Sequence, residues 1–185
     1  MLIIALFFPF MEHFSPESSK KSIILTVNTL NPMLTFTQPR DVYKRQGFQA
    51  IARFLDRIEA KPKVGIIAGV GDRRDEDIIQ LGTVASQMFD EIIIRQDKNL
   101  RGRSESEIID LMMKGIQSDD PKKKVMIIPK ESEAIDHAIK NAKKGAFIVI
   151  CSDVVPDALD QILKYKEAED NFSIHKEDIP SPSTI

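Results

Sequence analysis

From residue 47 onward the sequence predicts an α/β domain with a mostly parallel sheet, and three observations carry that prediction. Short continuous apolar runs recur as KVGII, EIII, VMIIP and AFIVIC. The stretches between them return apolar residues every three or four positions, which is the helical period. Each run is apolar at successive positions and reaches the next through a helix, the pattern of a parallel sheet covered on both faces.

The elements follow in order. GFQAIARFLDRIEA places Phe48, Ile51, Leu55 and Ile58 on one helical stripe, and KVGIIAG is a strand that ends at glycine. DEDIIQLGTVASQMF resumes helical spacing through Ile78, Leu81, Ala85 and Met88, and EIIIRQ is the second strand. SESEIIDLMMKGI opens with Ser104 and Glu107 at the spacing at which a helix-entry hydroxyl accepts the N–H three residues on. VMIIP is the third strand, ESEAIDHAIKNA the next helix and AFIVICSD the fourth strand. PDALDQILKYKEAE closes the series, with Pro156 suited to a first helical turn. Ligands of such sheets sit beyond the carboxyl ends of the strands, so the loops after Ala68, Arg95, Ile128 and Cys151 form the candidate rim.

The totals bound what the rim can do. A chain of 185 residues suffices for one full core, and a second domain would be cramped. Twenty-six Lys+Arg against 28 Asp+Glu give a formal charge of −2, so no overall basic field holds nucleic acid or an anionic membrane, and neither is an expected partner. One cysteine rules out an internal disulfide and a cysteine-rich zinc site, consistent with a reducing, cytoplasmic setting.

Residues 1–46 do not share the alternating grammar. MLIIALFFPF has the apolar character of a signal peptide, but no Lys or Arg precedes it, Pro9 interrupts it and no small-residue cleavage pattern follows. It is also too short to span a bilayer as a helix. Pro32 and Pro39 break up the segment that follows, and PRDVYKRQ resembles a translated sequencing-adapter remnant. The segment reads either as a non-native or disordered extension or as the source of an edge strand through SIILTV. Beyond Tyr165 the chain turns charged and then Pro/Ser-rich, which predicts fraying, with residues 173–185 a disordered tail.

Two loops carry chemistry. In IIAGVGDRRDED, Gly69 and Gly71 allow a sharp turn into a helix whose free amides attract an anion. Asp72, Asp75, Glu76 and Asp77 complement the helix dipole, but Arg73 and Arg74 are cations where that dipole disfavours them. Forked guanidiniums there suit an anionic ligand or carboxylates across a cleft. The second loop, RQDKNLRGRSESE, offers Arg95, Lys98, Arg101 and Arg103, with Asp97 as acceptor. A solvated charge run is one reading. The other is recognition of a zwitterion, an Arg fork gripping an α-carboxylate while an Asp accepts from the amine. The first loop is neither G-x-G-x-x-G nor a Walker A loop, and no G-x-x-x-x-G-K-[ST] occurs in the chain.

KVGIIAGVGDRRDEDIIQLG and FDEIIIRQDKNLRGRSESEIIDLMMKGI closely resemble the carboxy-terminal part of cyanophycin synthetases, whose last domain is that of the Mur ligases. The resemblance covers residue 47 to about residue 172 and implies a Rossmann-like domain that closes over a separate ATPase domain. It implies an amide-forming ligase that uses ATP and Mg2+, bound mainly by other domains, to phosphorylate an aspartate side chain of the cyanophycin polymer. The α-amine of arginine then attacks the acyl phosphate. By the same resemblance Arg73 and Arg74 stand in a G-D-R-[DR] loop that faces the incoming amino acid, with Asp72 beside the nucleotide. Asp97 and Arg101 approximate a D-N-P-R element that holds an amino acid, but one residue is inserted and the proline is absent, so Arg103 rivals Arg101. The slot of the family's D-Y-A-H-N-P motif holds DVYKRQ, so the chain alone is expected to be inactive. The full-length parent could be a homo-oligomer. A stand-alone α/β module that binds a small anion is the alternative, and a non-functional gene fragment is the third reading.

The remaining reactive residues read as structural. Cys151 ends a strand with no His base nearby in sequence, so it reads as a small buried thiol. His137 falls off the apolar side of its helix, His13 and His175 lie in the tails, and no metal set emerges. PKKKV precedes a strand and reads as a solvated loop, and Met112 and Met113 as helix packing.

Overall fold

The structure, a computed structural model, describes residues 2–7, 23–27, 52–53, 55–96, 100–152 and 154–177. Among the described residues six strands form one sheet: β1 (Leu2–Phe7), β2 (Ile23–Val27), β3 (Lys63–Ile67), β4 (Glu91–Ile94), β5 (Lys124–Ile127) and β6 (Phe147–Ser152). Four helices accompany them: α1 (Asp75–Met88), α2 (Glu105–Asp119), α3 (Glu131–Lys140) and α4 (Val155–Glu177). The spatial order is β2-β1-β6-β3-β4-β5. The strands β6, β3, β4 and β5 run parallel, as their linking helices require, and β1 pairs antiparallel with both β6 and β2. The fold is therefore the Rossmann-like α/β arrangement expected.

Alternation along each strand divides the core into two layers. On the α1/α2 face lie Ile67, Ile92, Ile94, Phe147, Val149 and Cys151, packed with Ile78, Ala85, Ile108, Met112 and Ile116 of the helices. On the α3/α4 face Val64, Ile66, Ile93, Ile148 and Ile150 meet Ala134, Ile135, Ala138, Ala158 and Ile162. The helical stripes anticipated from spacing thus face the sheet, with Leu81 only half-buried and Gly82 buried beside it. In the first predicted helix the described positions Ala52, Arg53 and Leu55 are helical and Leu55 is buried, whereas Phe48 and Ile51 lie outside the described residues.

Three features differ from the expectation. The opening stretch supplies strand β1, which lies beside β6 and carries β2 on its outer side, so IILTV at 23–27 provides an edge strand. PRDVYKRQ lies outside the described residues. The strand β5 is not covered on both faces, since it borders the sheet with Met126 39% and Ile127 47% exposed. Finally, α4 continues past Tyr165 to Glu177. Its first half is fastened to α3 by Tyr165 Oη donating to Asp136 Oδ1 at 2.7 Å and by Gln161 Nε2 donating to Ser132 O at 2.7 Å. A nucleated helix extends at the cost of one residue per added hydrogen bond, which carries it into the charged segment.

Candidate functional site

The strands β3 and β4 are adjacent and parallel, so the loops leaving their carboxyl ends emerge side by side. The loop at 68–74 and the described part of the loop at 95–104 touch. A Cβ at Gly71 would collide with the Leu100 carbonyl oxygen, so only glycine permits this approach. Arg103 fastens the two loops. Its Nε donates to Gly71 O at 3.2 Å, and its Nη2 donates to Arg73 O at 2.8 Å and pairs with Asp75 Oδ1 at 2.7 Å. Its Nη1 pairs with Glu107 Oε1 at 2.6 Å. The hydrogen bond to Asp75 raises the pKa of the Arg103 guanidinium above its ordinary value.

Asp72 joins the loops a second time. Its Oδ2 pairs with Arg101 Nη1 at 2.8 Å, and its Oδ1 lies 3.8 Å from Arg73 Nε. Arg73, Arg101 and Asp72 therefore gather into one cluster, with the Arg101 side chain 52% exposed at its rim. Arg101 has φ 49° and Gly102 φ 90°, so a left-handed turn aims this part of the loop. For arginine that conformation is costly by about 1–2 kcal/mol, and such residues persist where the surroundings demand them.

Arg74 stands apart. It occupies the N-cap of α1 without a side-chain cap bond, is 76% exposed, and forms a local fork with Asp77 at 2.9 and 3.1 Å. That hydrogen bond raises its pKa. Ser104 caps α2 as its spacing predicts, its Oγ accepting from Glu107 N at 3.2 Å. Asp97 lies outside the described residues.

Among the described residues the donor set around Asp72 does not fit a magnesium ion, which needs several oxygen ligands, whereas here two guanidiniums approach the carboxylate. Among the described residues no group of three or more His, Cys, Asp or Glu side chains could hold a metal ion, and no helix is long and apolar enough to cross a membrane.

Sequence reasoning missed a polar node on the opposite face. Arg95, grouped above with the loop cations, is only 4% exposed. It pairs with Glu131 Oε2 at 2.8 Å and donates to Cys151 O from Nε at 3.2 Å and Nη2 at 2.7 Å. Glu131 Oε1 accepts from Ser152 Oγ at 2.8 Å, and Ser152 Oγ accepts from Val154 N at 3.1 Å. Strand parity was the available clue, because Arg95 continues the face of Ile93.

Two loops edged by arginines meet at the carboxyl edge of the parallel sheet, the place where α/β domains hold ligands. Residues 44–154 match the family described as Mur ligase, glutamate ligase domain, and the chain belongs to that family. The sequence is similar to cyanophycin synthetases, as its two loops suggested. It is 40% identical over 119 residues to the cyanophycin synthetase of Geminocystis herdmanii (strain PCC 6308), covering 64% of this chain and 14% of that protein. For the cyanophycin synthetase of Synechocystis sp. (strain ATCC 27184 / PCC 6803 / Kazusa) the identity is 34% over 116 residues, 63% of this chain and 13% of the relative. The UDP-N-acetylmuramoyl-L-alanyl-D-glutamate--2,6-diaminopimelate ligase of Buchnera aphidicola subsp. Baizongia pistaciae (strain Bp) is 31% identical over 109 residues, 58% of this chain and 21% of that protein. The chain thus spans about one seventh of the length of the first of these relatives.

Proposed function

We propose that this domain holds arginine for an ATP-dependent amide-forming reaction of the cyanophycin synthetase type, in the cytoplasm. In that reaction the α-amine of arginine displaces phosphate from an activated aspartate side chain of the polymer, giving an isopeptide bond, ADP and phosphate. The observation that carries the reading is the junction of the two loops, where Arg73 and Arg101 both approach Asp72. Guanidinium forks on two converging loops suit an incoming α-carboxylate, which they can grip bidentately. Asp97, next to this loop in sequence, is the acceptor for the amine. Arg103 positions these side chains, since its donors face Gly71, Arg73, Asp75 and Glu107. Arg74 is an outer contact at the same helix start.

Activation of the carboxylate by ATP and Mg2+ falls to residues other than these, because the sequence contains no G-x-x-x-x-G-K-[ST] loop and Asp72 is bracketed by cations. The chain alone therefore releases no ADP when supplied with ATP, Mg2+, arginine and a cyanophycin primer. Steady ADP release with this chain as sole protein would overturn that part. Binding is a separate matter. Titrating the 15N-labelled chain with L-arginine is expected to shift amide resonances of residues 70–74 and 100–104 in the millimolar range, and Arg73→Ala to weaken the effect about tenfold. If inorganic phosphate moves the same resonances at far lower concentration than arginine does, the small-anion module is the better reading.

A further inference from the structure

Both loops of the candidate site are rooted at Arg95. Its backbone N donates to Ile67 O at 2.8 Å, at the foot of the loop at 68–74. Its side chain, only 4% exposed, lies on the α3/α4 face and reaches across the end of β3, which separates β4 from β6. There Nε and Nη2 donate to Cys151 O at 3.2 and 2.7 Å, while Nη1 donates at 3.2 Å to Gln96 O, at the foot of the second loop. Nε also pairs at 2.8 Å with Oε2 of Glu131, the first residue of α3. Glu131 is oriented in turn, since its Oε1 accepts from Ser152 Oγ at 2.8 Å. One buried guanidinium thus ties together the carboxyl ends of β4 and β6, the start of α3 and the exit of an arginine-bearing loop.

Packing alone does not call for this arrangement. A buried ion pair carries a desolvation cost, and apolar side chains of similar volume often fill the same space with equal or better stability. What an apolar filler cannot supply is direction, because a planar guanidinium holds several acceptors in fixed relation to one another. Here the acceptors are the carbonyls of two strand ends and the carboxylate of a helix start, so the fork sets the line along which the chain leaves β4. The far end of the same loop is fastened separately, by Arg103 donating to Gly71 O and Arg73 O. Arg101 lies between the two fastenings, in a left-handed conformation at φ 49°, and meets Asp72 of the first loop. Its placement against Asp72 therefore depends on both.

We propose that Arg95 is a positioning residue for the amino-acid site: held by Glu131, it sets the exit of the second loop so that Arg101 meets the first loop in the geometry that receives arginine. This inference rests on the arginine-binding reading above and adds to it the buried node on the opposite face of the sheet that holds the loop in place. Arg95 acts through Gln96 O and the chain that follows, not on the ligand, and no covalent step is involved. Misplacing a binding group by a small distance is costly even when the displaced residue is remote from the ligand.

The test uses the full chain and two variants that separate geometry from stability. Arg95→Lys keeps a cation opposite Glu131 but loses the planar fork. The double variant Arg95→Met with Glu131→Met replaces the pair by apolar side chains and is expected to keep Tm near the wild-type value. L-Arginine is titrated by amide NMR well below every Tm, so that unfolding does not enter the apparent affinity. Both variants are expected to bind L-arginine about tenfold more weakly than the wild type, with the resonances of residues 100–104 displaced before any arginine is added. A purely structural pair would be replaced without loss in the double variant, so wild-type affinity there, at wild-type Tm, overturns the inference. If the double variant does not fold, Arg95→Lys decides alone: a tenfold loss in a folded chain supports the inference, and wild-type affinity overturns it. If Arg73→Ala weakens arginine binding but neither Arg95 variant does, this inference alone fails. If arginine shifts no resonance of the two loops in the wild type, the reading beneath it fails as well.

Discussion

At the residue scale, guanidiniums of one sequence cluster do different work according to what stands opposite each. Arg103 bridges two loops through backbone carbonyls and two carboxylates, whereas among the described residues Arg74 pairs with Asp77 on its own helix. A pair of the second kind contributes little, since exposed local ion pairs are screened by water and salt. Arg103→Ala is therefore expected to lower Tm distinctly more than Arg74→Ala, as differential scanning calorimetry would show. Equal losses would contradict the assignment of Arg103 as the fastener. This difference was not legible in the sequence. Arg101 and Arg103 rival one another for the same motif position, and what sets Arg103 apart is that it reaches Gly71 O and Arg73 O, some thirty residues earlier in the chain. Arg95 was misread for a related reason: beside Asp97 and Lys98 it counts as a loop charge, and only its parity with Ile93 places it under α3.

At the element scale, local signals held and distant ones did not. The Ser104 cap of α2 was legible because both partners lie within one helical turn. The helical stripes were legible because periodicity is a local property. The close crossing of α1 and α2 was not. A Cβ at Gly115 would strike Ile79 O, and one at Gly82 would strike Met112 O, so the two helix backbones touch across these glycines. Thr83 Oγ1 adds a 3.2 Å hydrogen bond to Gly115 O. On helix propensity alone Gly115→Ala should stabilise by about 1 kcal/mol. The crossing reverses the sign: overpacking is expected to leave a net loss of about 1–3 kcal/mol in urea unfolding. A gain in stability would show that the helices can separate without penalty. The exposure of β5 escaped prediction too, because a four-residue apolar run does not reveal whether a further strand or helix covers it.

At the scale of the whole molecule, charge pairs at the amino edge of the sheet set part of the pH response. Lys124 hydrogen-bonds Glu91 at 2.6 Å and holds its carboxyl below the ordinary glutamate value, with Lys143 adding to the effect. A group whose pKa is lowered by folding contributes stability that is fully present above its unfolded pKa and is lost as pH falls through the folded one. Acid unfolding of the wild type should therefore steepen below the ordinary glutamate range, and Glu91→Gln should flatten that limb while lowering stability at neutral and alkaline pH without changing its slope there. An identical acid limb in both proteins would remove Glu91 from the account. The α/β class and its strand sequence were legible as a whole because helices and apolar runs alternate. The use of residues 2–7 beside β6 was not, because a lone apolar run carries no mark of its partner.

The central claim is that two crossover loops of one parallel sheet converge to hold arginine. The most direct measurement is the amide NMR titration of the full chain with L-arginine, mapped onto residues. The account predicts saturable shifts concentrated at residues 70–74 and 100–104 and weakened by Arg73→Ala. Shifts scattered over the surface, or none in those loops at saturating arginine, would contradict it.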